Sequence, residues 1–302
     1  MDFKVTILGS NSALPTSLRL TTAQAVEYNN EIFLIDCGEG TQLQLRRMNF
    51  SFPKINHIFI SHLHGDHYFG IFGLLTSFSL MGRKQDLHIY AHLHLKEIME
   101  VNFKYSGELN YKIVFHDLSS LKERKILDLK HIEVYSFPLK HRIQACGFLF
   151  KEKDKEPNIN PQMIRLYELS HTDIRSIKMG NDYTDSDGKL VANERFMLQA
   201  KPKRSYAFCS DTAYFEKIVD SIKGVDLLYH EATFTEQDKA RAEKTRHSTA
   251  LQAAKIAELA KVKKLIIGHF SSRYTNPKIL EREAVTIFEN TQAVNDGDVF
   301  EI

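Results

Sequence analysis

Four side chains that can bind metal ions lie within six residues of each other in the segment SHLHGDHYFG, residues 61–70. They are His62, His64, Asp66 and His67, and they follow KINHIFI, a run with the alternating apolar pattern of a β-strand. Imidazole and carboxylate groups suit zinc and, to a lesser extent, manganese or iron. The HxHxDH spacing at a strand end therefore predicts a metal site.

Two ions fit this pattern better than one. If the chain stays extended, His62 and His64 point to the same side and can share one ion, whereas Asp66 and His67 lie on the following turn and can reach a second. Two ions need about six or seven protein ligands, so other segments must contribute. Three candidates follow strand-like runs further along the chain: His141, Asp211 and His269.

The strand ends suggest where such ligands meet. Four separate apolar strand-like runs end on a side chain that can bind metal, namely His62, Asp211, His230 and His269. Helical segments alternate with these runs, so the carboxyl ends of the strands are expected to converge at one edge of an α/β fold. A carboxylate such as Asp211 can bridge two ions about 3.5 to 4 Å apart, an arrangement that favours hydrolysis, especially of a phosphodiester.

The remaining histidines lack partners at suggestive spacing and are interpreted as structural or surface residues. They are His57, His88, His92, His94, His116, His131 and His171.

The surrounding pattern predicts the elements that must position the ligands. FKVTILGS, AQAVEYNN and EIFLIDCG read as a β meander near the start of the chain. Helices are predicted over 68–81, directly after the histidine cluster, over 247–262 and over 277–291. Ser248 or Thr249 can cap the second of these helices, and Pro277 lies in the first turn of the third.

Composition sets broad limits. The 302 residues are 43% hydrophobic, enough to bury a full core, and one α/β domain can reach this length. No run approaches the roughly 18 uninterrupted apolar residues of a membrane span, and the N-terminus does not resemble a secretory signal. Three cysteines without a CxxC pair favour a reducing compartment, with the cytoplasm as the expected location.

Charge alone does not indicate a nucleic-acid partner, because the formal net charge is only +2. Binding of RNA or DNA would depend on local basic patches, which on their own are typical of a solvated surface. Such patches occupy residues 201–204, 241–247 and 261–264.

Residues 151–203 differ from their surroundings. They are polar and show no sustained amphipathic period, although Asp187 and Gly188 are typical of a hairpin turn. We interpret this segment as an insertion or a protruding arm; the alternative is an irregular surface connection.

Seven motifs span residues 33–274: FLIDCGEGTQLQL, SHLHGDHYFG, PLKHRIQACGF, SDT, YHEATF, RHSTALQAA and GHFSSRY. Their order resembles that of the metallo-β-lactamase superfamily and, within it, of the tRNase Z family of endonucleases, which trim the 3′ end of precursor tRNA. YHEATF and RHSTALQAA are far more specific than HxHxDH.

This resemblance implies a four-layer αββα sandwich, formed by residues 1–302 as a single domain, that holds two zinc ions per subunit, with manganese as a possible substitute. One zinc would be bound by His62, His64 and His141 and the other by Asp66, His67 and His269, with Asp211 as the bridge. Asp66 would also accept a proton from the attacking water. Glu231 and His247 would form a pair beside the scissile phosphate, where His247 protonates or neutralises the leaving oxygen; the alternative is that they cap a loop and a helix.

The resemblance further implies cleavage of precursor tRNA into a tRNA with a 3′-hydroxyl and a trailer with a 5′-phosphate. Basic residues near the cleft, such as Lys140, Arg142 and Arg273, would hold flanking phosphates. Residues 151–203 would be an arm that clamps the tRNA, in a homodimer whose subunits each grip the tRNA that the other cuts. The arm is poorer in glycine and proline than is usual in the family.

Two other functions remain open at this point. The chain could be another dinuclear phosphodiesterase or hydrolase of the superfamily, which keeps the seven ligands and needs no arm. It could also be a metal-containing RNA-binding protein without catalysis, although the full ligand set together with Glu231 and His247 speaks against that.

Overall fold

The computed structural model describes residues 2–120, 122–154, 158–198 and 202–302. Lys201 of the basic patch 201–204 lies outside these ranges, as do parts of the predicted arm, residues 155–157 and 199–201. The chain divides into two compact units. The first extends to Asp128 and continues through Glu133–Lys151 and Arg204–Ile302, and the second comprises Leu129–Ile132 and Glu152–Lys203.

The helices and strands follow the chain in this order. The first half contains β1 (Phe3–Gly9), β2 (Ala23–Tyr28), β3 (Glu31–Ile35), α1 (Thr41–Arg47), β4 (Ile55–Phe59), α2 (Gly65–Tyr68), α3 (Ile71–Leu80), β5 (Leu87–Ala91), α4 (His94–Ser106), β6 (Ile113–Asp117), β7 (Arg124–Asp128), β8 (Ile132–Pro138) and β9 (Cys146–Glu152). The second half contains α5 (Pro161–Leu166), α6 (His171–Lys178), β10 (Tyr183–Thr184), β11 (Leu190–Val191), β12 (Ser205–Cys209), β13 (Leu227–Glu231), α7 (Lys239–Thr245), α8 (Ala250–Ala260), β14 (Lys264–Gly268), α9 (Lys278–Ala284), β15 (Thr291–Ala293) and β16 (Val299–Glu301).

Two seven-stranded sheets form the centre of the first unit. The first sheet has the order β16-β1-β2-β3-β4-β5-β6. Its strands β1, β2 and β3 pair antiparallel, which confirms the predicted meander, and β3 to β6 pair parallel. The second sheet has the order β15-β14-β13-β12-β9-β8-β7, and β12 to β15 are parallel.

Aromatic side chains pack the two sheets face to face. Phe33 lies 5.6 Å from Phe150, and Phe59 lies 5.4 Å from Phe148, measured between ring centroids. Because side chains alternate along a strand, the neighbouring Leu34 and Ile58 face the other way and pack against helices. That outer core includes Leu45 of α1, Leu74 and Leu75 of α3, and Leu95 and Met99 of α4.

Helices α8 and α9 lie on the side of the second sheet. Helix α8 buries an alanine-rich face that includes Ala253, Ala254 and Ala257, as predicted. Thr249 is its N-cap and accepts a hydrogen bond from the backbone of Gln252, which in turn caps the Thr249 backbone. Helices therefore cover both outer faces of the paired sheets, and the predicted αββα sandwich is confirmed.

The second unit has a small core of its own. Buried side chains of this core are Ile159, Leu169, Ile177, Val191 and Phe196. Helix α6 begins at a capping box formed by Ser170 and Asp173. Strands β10 and β11 form the hairpin expected at Asp187 and Gly188, where Gly188 has φ +79°.

The last predicted helix is shorter than expected. Helix α9 ends at Ala284, whereas the sequence predicted a helix to residue 291. Val285, Thr286 and Ile287 follow, and three consecutive β-branched residues disfavour helix continuation. Thr291 instead begins β15.

No helix among the described residues combines the length and the apolarity needed to cross a membrane.

Candidate metal centre

Asp211 lies between two groups of histidines at the carboxyl edge of the sheets. It follows β12, and its Oδ2 is 3.5 Å from Nε2 of both His62 and His141. Its other oxygen, Oδ1, is 3.1 Å from Nε2 of His67 and 3.0 Å from Nε2 of His269. One carboxylate thus presents an oxygen to each group, as a bridging ligand does.

The first group contains His62, His64 and His141. The Nδ1 atom of His64 lies 2.9 Å from His62 Nε2 and 3.2 Å from His141 Nε2. Burial and the neighbouring His67 lower the pKa of His62 to about 4, and burial and His62 lower the pKa of His64 to about 4. These imidazoles are therefore neutral at pH 7, with lone pairs that converge on one point, as a divalent cation requires.

The second group contains Asp66, His67 and His269. Asp66 Oδ2 lies 3.5 Å from Nε2 of each histidine. Burial alone lowers the pKa of both imidazoles, but the surrounding carboxylates, of which Asp211 is the strongest, together raise the pKa of His269 to about 10 and that of His67 well above its ordinary value. The two carboxylates therefore favour a positive charge between them.

Two buried nitrogen atoms indicate that a bound cation can supply this positive charge. Among the described residues, Nε2 of His67 and Nε2 of His269 have no hydrogen-bond partner, although both lie close to Asp211 Oδ1. A buried nitrogen without a partner is costly unless it has a ligand. The donor set of imidazoles and carboxylates fits divalent cations, so this cluster can hold a divalent metal.

The structure brings together all seven residues that the sequence singled out as ligands. Their donor atoms form two neighbouring groups that share Asp211, namely His62, His64, His141 and Asp211 in one and Asp66, His67 and His269 in the other. The other predicted site residues, Glu231 and His247, adjoin them.

Glu231 and His247 form a pair beside Asp211. His247 Nδ1 donates to Glu231 Oε1 at 2.8 Å, and His247 Nε2 lies 3.9 Å from Asp211 Oδ2. Burial alone disfavours the imidazolium, but the Glu231 and Asp211 carboxylates raise the pKa of His247. The ring is thus oriented by Glu231, with its second nitrogen facing the metal cluster.

Glu231 is fully buried, and hydrogen bonds surround its carboxylate. Oε1 also accepts from the backbone of Thr212 at 2.8 Å, and Oε2 accepts from the hydroxyl of Thr233 at 2.6 Å and the backbone of Ser248 at 3.1 Å. Burial alone raises the pKa of Glu231, but its partner His247 lowers it below the ordinary value. A buried anion held this way keeps a fixed position.

Three further groups orient the histidines and were not singled out from the sequence. Asp36 accepts from His67 Nδ1 at 2.8 Å, Thr233 Oγ1 lies 3.0 Å from His269 Nδ1, and the Arg246 carbonyl accepts from His141 Nδ1 at 2.9 Å. Such partners fix the ring orientation of metal-binding histidines. Asp36 follows the apolar strand β3, so the rule that found the other strand-end residues applies to it too.

Three site residues occupy left-handed backbone conformations. Asp36, Asp211 and His269 have φ values of +55°, +57° and +58°. Asp36 follows β3 of the first sheet, and Asp211 and His269 follow β12 and β14 of the second; at each of these strand ends the chain turns sharply. Strained backbone of this kind is typical of functional sites.

One strand-end residue does not join the centre. His230 was expected to converge with the others, but it lies outside the metal-capable groups, and its Nδ1 contacts the Glu231 carbonyl at 2.7 Å. Side chains alternate along a strand, so Glu231 faces the centre and His230 the opposite side.

The histidines interpreted as structural or surface residues also lie outside the metal-capable groups of the described residues: His57, His88, His92, His94, His116, His131 and His171.

Comparison with known proteins identifies the family. Residues 3–159 match the family model described as anti-Pycsar protein Apyc1, and residues 159–270 match that of the β-lactamase superfamily domain. A protein of Phocaeicola vulgatus named Ribonuclease Z is 47% identical over 291 residues, which is 96% of this chain and 94% of that protein. One of Bacteroides thetaiotaomicron with the same name is 45% identical over 290 residues, 96% of this chain and 92% of that protein.

A solved structure gives the same result. Human tRNase Z, short form, superposes with a TM-score of 0.72 at 26% identity and covers 98% of both chains. The relatives and the fold agree with the motif order: this chain belongs to the ribonuclease Z family of the β-lactamase superfamily.

Proposed function

We propose that this protein is a metal-dependent endoribonuclease that removes the 3′ trailer from precursor tRNA, leaving a 3′-hydroxyl on the tRNA and a 5′-phosphate on the trailer. The observation that carries this proposal is the Glu231–His247 pair, which adjoins a metal centre in a chain 47% identical to a protein named Ribonuclease Z. A hydrolase of small phosphodiesters needs the metal centre but not the second unit.

The donor set supports two zinc ions per subunit, with manganese as a substitute. One ion would be held by His62, His64 and His141, the other by Asp66, His67 and His269, and Asp211 would bridge them. Two such ions lower the pKa of water and stabilise negative charge on phosphoryl oxygens.

We assign Asp66 as the proton acceptor. Its Oδ2 faces the imidazoles of His67 and His269, and its side chain is 10% exposed, toward the cleft. Among the described carboxylates of the centre, Asp211 is 2% exposed and Glu231 is wholly buried, so Asp66 is the one that incoming water meets first. A carboxylate in this position orients a water molecule and takes its proton.

His247 is assigned to the leaving oxygen. Its Nδ1 is occupied by Glu231, so Nε2 is the nitrogen available to the cleft, which His247 lines together with Asp66 and Asp211. A proton on Nε2 would be delivered to, or would neutralise, the oxygen of the departing nucleotide. Glu231 is assigned no contact with the substrate and acts by fixing the imidazole of His247.

The insertion at residues 151–203 is assigned as a tRNA-binding arm within the single metallo-β-lactamase-fold domain 1–302. Helix α6 supports this assignment, because His171, Arg175 and Lys178 recur at helical spacing and are exposed, whereas Ile177 is buried. A basic stripe of this kind suits a phosphate backbone and carries no base specificity.

We also propose that the enzyme acts as a homodimer in the cytoplasm. The absence of disulfides among the buried residues Cys37, Cys146 and Cys209 suits a reducing compartment.

A direct comparison of two substrates tests the proposal. Purified protein with zinc or manganese is given a precursor tRNA with a 3′ trailer and, separately, bis(p-nitrophenyl) phosphate. Efficient cleavage of the tRNA near its discriminator nucleotide supports the proposal. Turnover of the small ester without any such cut would favour the alternative, another dinuclear phosphodiesterase or hydrolase of the superfamily.

The variant Asp66→Ala is the control for both reactions. It removes a metal-facing oxygen and the proton acceptor together, so cleavage of both substrates should fall below detection. Residual cleavage of the tRNA by this variant would indicate a contaminating nuclease.

A further inference from the structure

The cleft beside the metal centre has a volume of about 440 Å³ and is lined by acidic and basic side chains. Its carboxylates, Asp66 and Asp211, belong to the metal centre. Two arginines, Arg142 and Arg241, also line it. In an RNA strand, the phosphates on either side of the scissile one each carry a negative charge, and cationic side chains in the cleft can bind them.

Among the described residues, neither arginine is held in a direct ion pair, although the charge of Arg241 contributes to lowering the pKa of Asp238. Both side chains are exposed, and within the parts of the chain that the structure describes, neither guanidinium forms an ion pair with a carboxylate. A guanidinium without a carboxylate partner is free to bind a phosphate through two parallel hydrogen bonds.

Arg142 is tied to the metal centre by its position in the chain. It directly follows His141, whose Nδ1 donates to the Arg246 carbonyl at 2.9 Å. The backbone that carries Arg142 is therefore fixed relative to the first histidine group.

Arg241 is tied to the same centre from another segment. It lies on α7 one turn before Thr245, and both residues line the cleft. Arg246, the C-cap of α7, has φ +62° and provides the carbonyl that holds His141. His247, which follows, is bound to Glu231. Hydrogen bonds at Arg246 and His247 thus hold the segment that joins Arg241 to the metal centre.

Arg273, which the sequence suggested for this role, is already engaged. Its guanidinium donates to Asp238 Oδ1 at 2.7 Å and stacks over the ring of Phe234. Lys140 is absent from the residues that line the cleft. Among the described residues that line the cleft, Arg142 and Arg241 are the arginines available to the substrate.

We propose that Arg142 and Arg241 bind the two phosphates that flank the scissile phosphate, one arginine on each side. This inference rests on the proposed function, since it requires an RNA strand in the cleft. It adds Arg241 as a substrate-positioning residue and predicts that single-stranded RNA on both sides of the cut is recognised by its backbone charge.

The test combines protein variants with neutral linkages in the RNA. Arg142→Gln and Arg241→Gln are assayed on a precursor tRNA and on versions with a methylphosphonate at the linkage directly 5′ or directly 3′ of the cut. A 2′-O-methyl group keeps that linkage intact, and RNA with this group alone is the reference. Arg47→Gln, an exposed arginine on α1, is the matched control variant.

We expect each variant to lower kcat/KM for the unmodified RNA about tenfold at low salt, and to reduce the slope of log kcat/KM against log salt by about 0.7. Each loss should disappear with one of the two methylphosphonates, and a different one for each arginine. Bound metal, measured for every variant, should equal that of the wild type.

Losses that persist with both neutral linkages, losses explained by missing metal, or variants as fast as Arg47→Gln would each overturn the assignment. Failure of the proposed function would look different, because the wild-type protein itself would not cut the precursor tRNA.

Discussion

His67 is held between two carboxylates: its Nδ1 donates to Asp36 at 2.8 Å, while its Nε2 lies 3.1 Å from Asp211 Oδ1. Asp36 is itself fixed by Ser61, whose backbone donates to Oδ1 at 2.8 Å and whose hydroxyl donates to Oδ2 at 3.0 Å. The same hydroxyl lies 3.1 Å from His62 Nδ1. One carboxylate and one hydroxyl therefore orient a histidine in each half of the metal centre.

Asp36→Asn should weaken metal binding without removing any ligand. The amide cannot orient and polarise His67 as the carboxylate does, and loss of such a partner typically costs about 10- to 100-fold in metal affinity. Competition with a chromophoric zinc chelator measures the affinity, and excess zinc should restore most of the activity. Asp86→Asn, at an exposed aspartate, is the control. An Asp36→Asn protein that binds zinc like the wild type would contradict this role.

His247→Ala should lower the single-turnover rate on precursor tRNA by about 10²- to 10⁴-fold, the usual contribution of a general acid. Glu231→Gln should lower it less, because the amide keeps an acceptor near His247. If Glu231 acts through His247, the double variant should be no slower than His247→Ala alone. Zinc content should be unchanged throughout; rates that multiply in the double variant would show two independent roles.

Deletion of residues 160–195 should separate tRNA binding from chemistry. The ends can be rejoined by a short linker because Ile159 and Met197 form an antiparallel bridge and Asn160 donates to the Phe196 carbonyl at 2.7 Å. We expect KM for precursor tRNA to rise at least about tenfold, because phosphate contacts are lost, while turnover of bis(p-nitrophenyl) phosphate is retained.

A smaller change supports the same conclusion. Arg175→Gln combined with Lys178→Gln removes two charges from the exposed face of α6 and should raise KM for the tRNA in a salt-dependent way. If both this variant and the deletion process tRNA like the wild type, the arm has another role.

His57→Phe should make the protein less sensitive to acid. Burial, with His88 and His116 nearby, lowers the pKa of His57 to about 3. The unfolded chain takes up this proton near pH 6.5 and the folded chain does not, so stability falls as the pH drops below 6.5. Between pH 7 and 5 the wild type should lose about 2 kcal/mol more unfolding free energy than the variant.

Urea unfolding in EDTA measures this difference without a contribution from metal release. His94→Gln, at an exposed histidine, should behave like the wild type. Identical pH profiles for His57→Phe and the wild type would show that His57 is not held neutral.

The candidate ligands could be found in the sequence because each follows an apolar strand, directly or within a short turn, and the structure brings these strand ends together. The same reasoning wrongly included His230. Side chains alternate along β13, so Glu231 faces the centre and His230 does not. Asp36 was not singled out from the sequence, although in FLID it also follows an apolar run. Hydrophobic periodicity did not predict the helices of the second unit, because α5 and α6 are too short to show a clear period. Their N-termini are instead stabilised by the capping residues Asn160 and Ser170.

The most direct measurement is the mapping of both product ends after the zinc-loaded protein has cut a precursor tRNA. We expect one cut at the junction with the trailer, with a 3′-hydroxyl on the tRNA and a 5′-phosphate on the trailer, and no cut by Asp66→Ala. A 2′,3′-cyclic phosphate on the tRNA, cuts scattered along the RNA, or no cut by the wild type would contradict it.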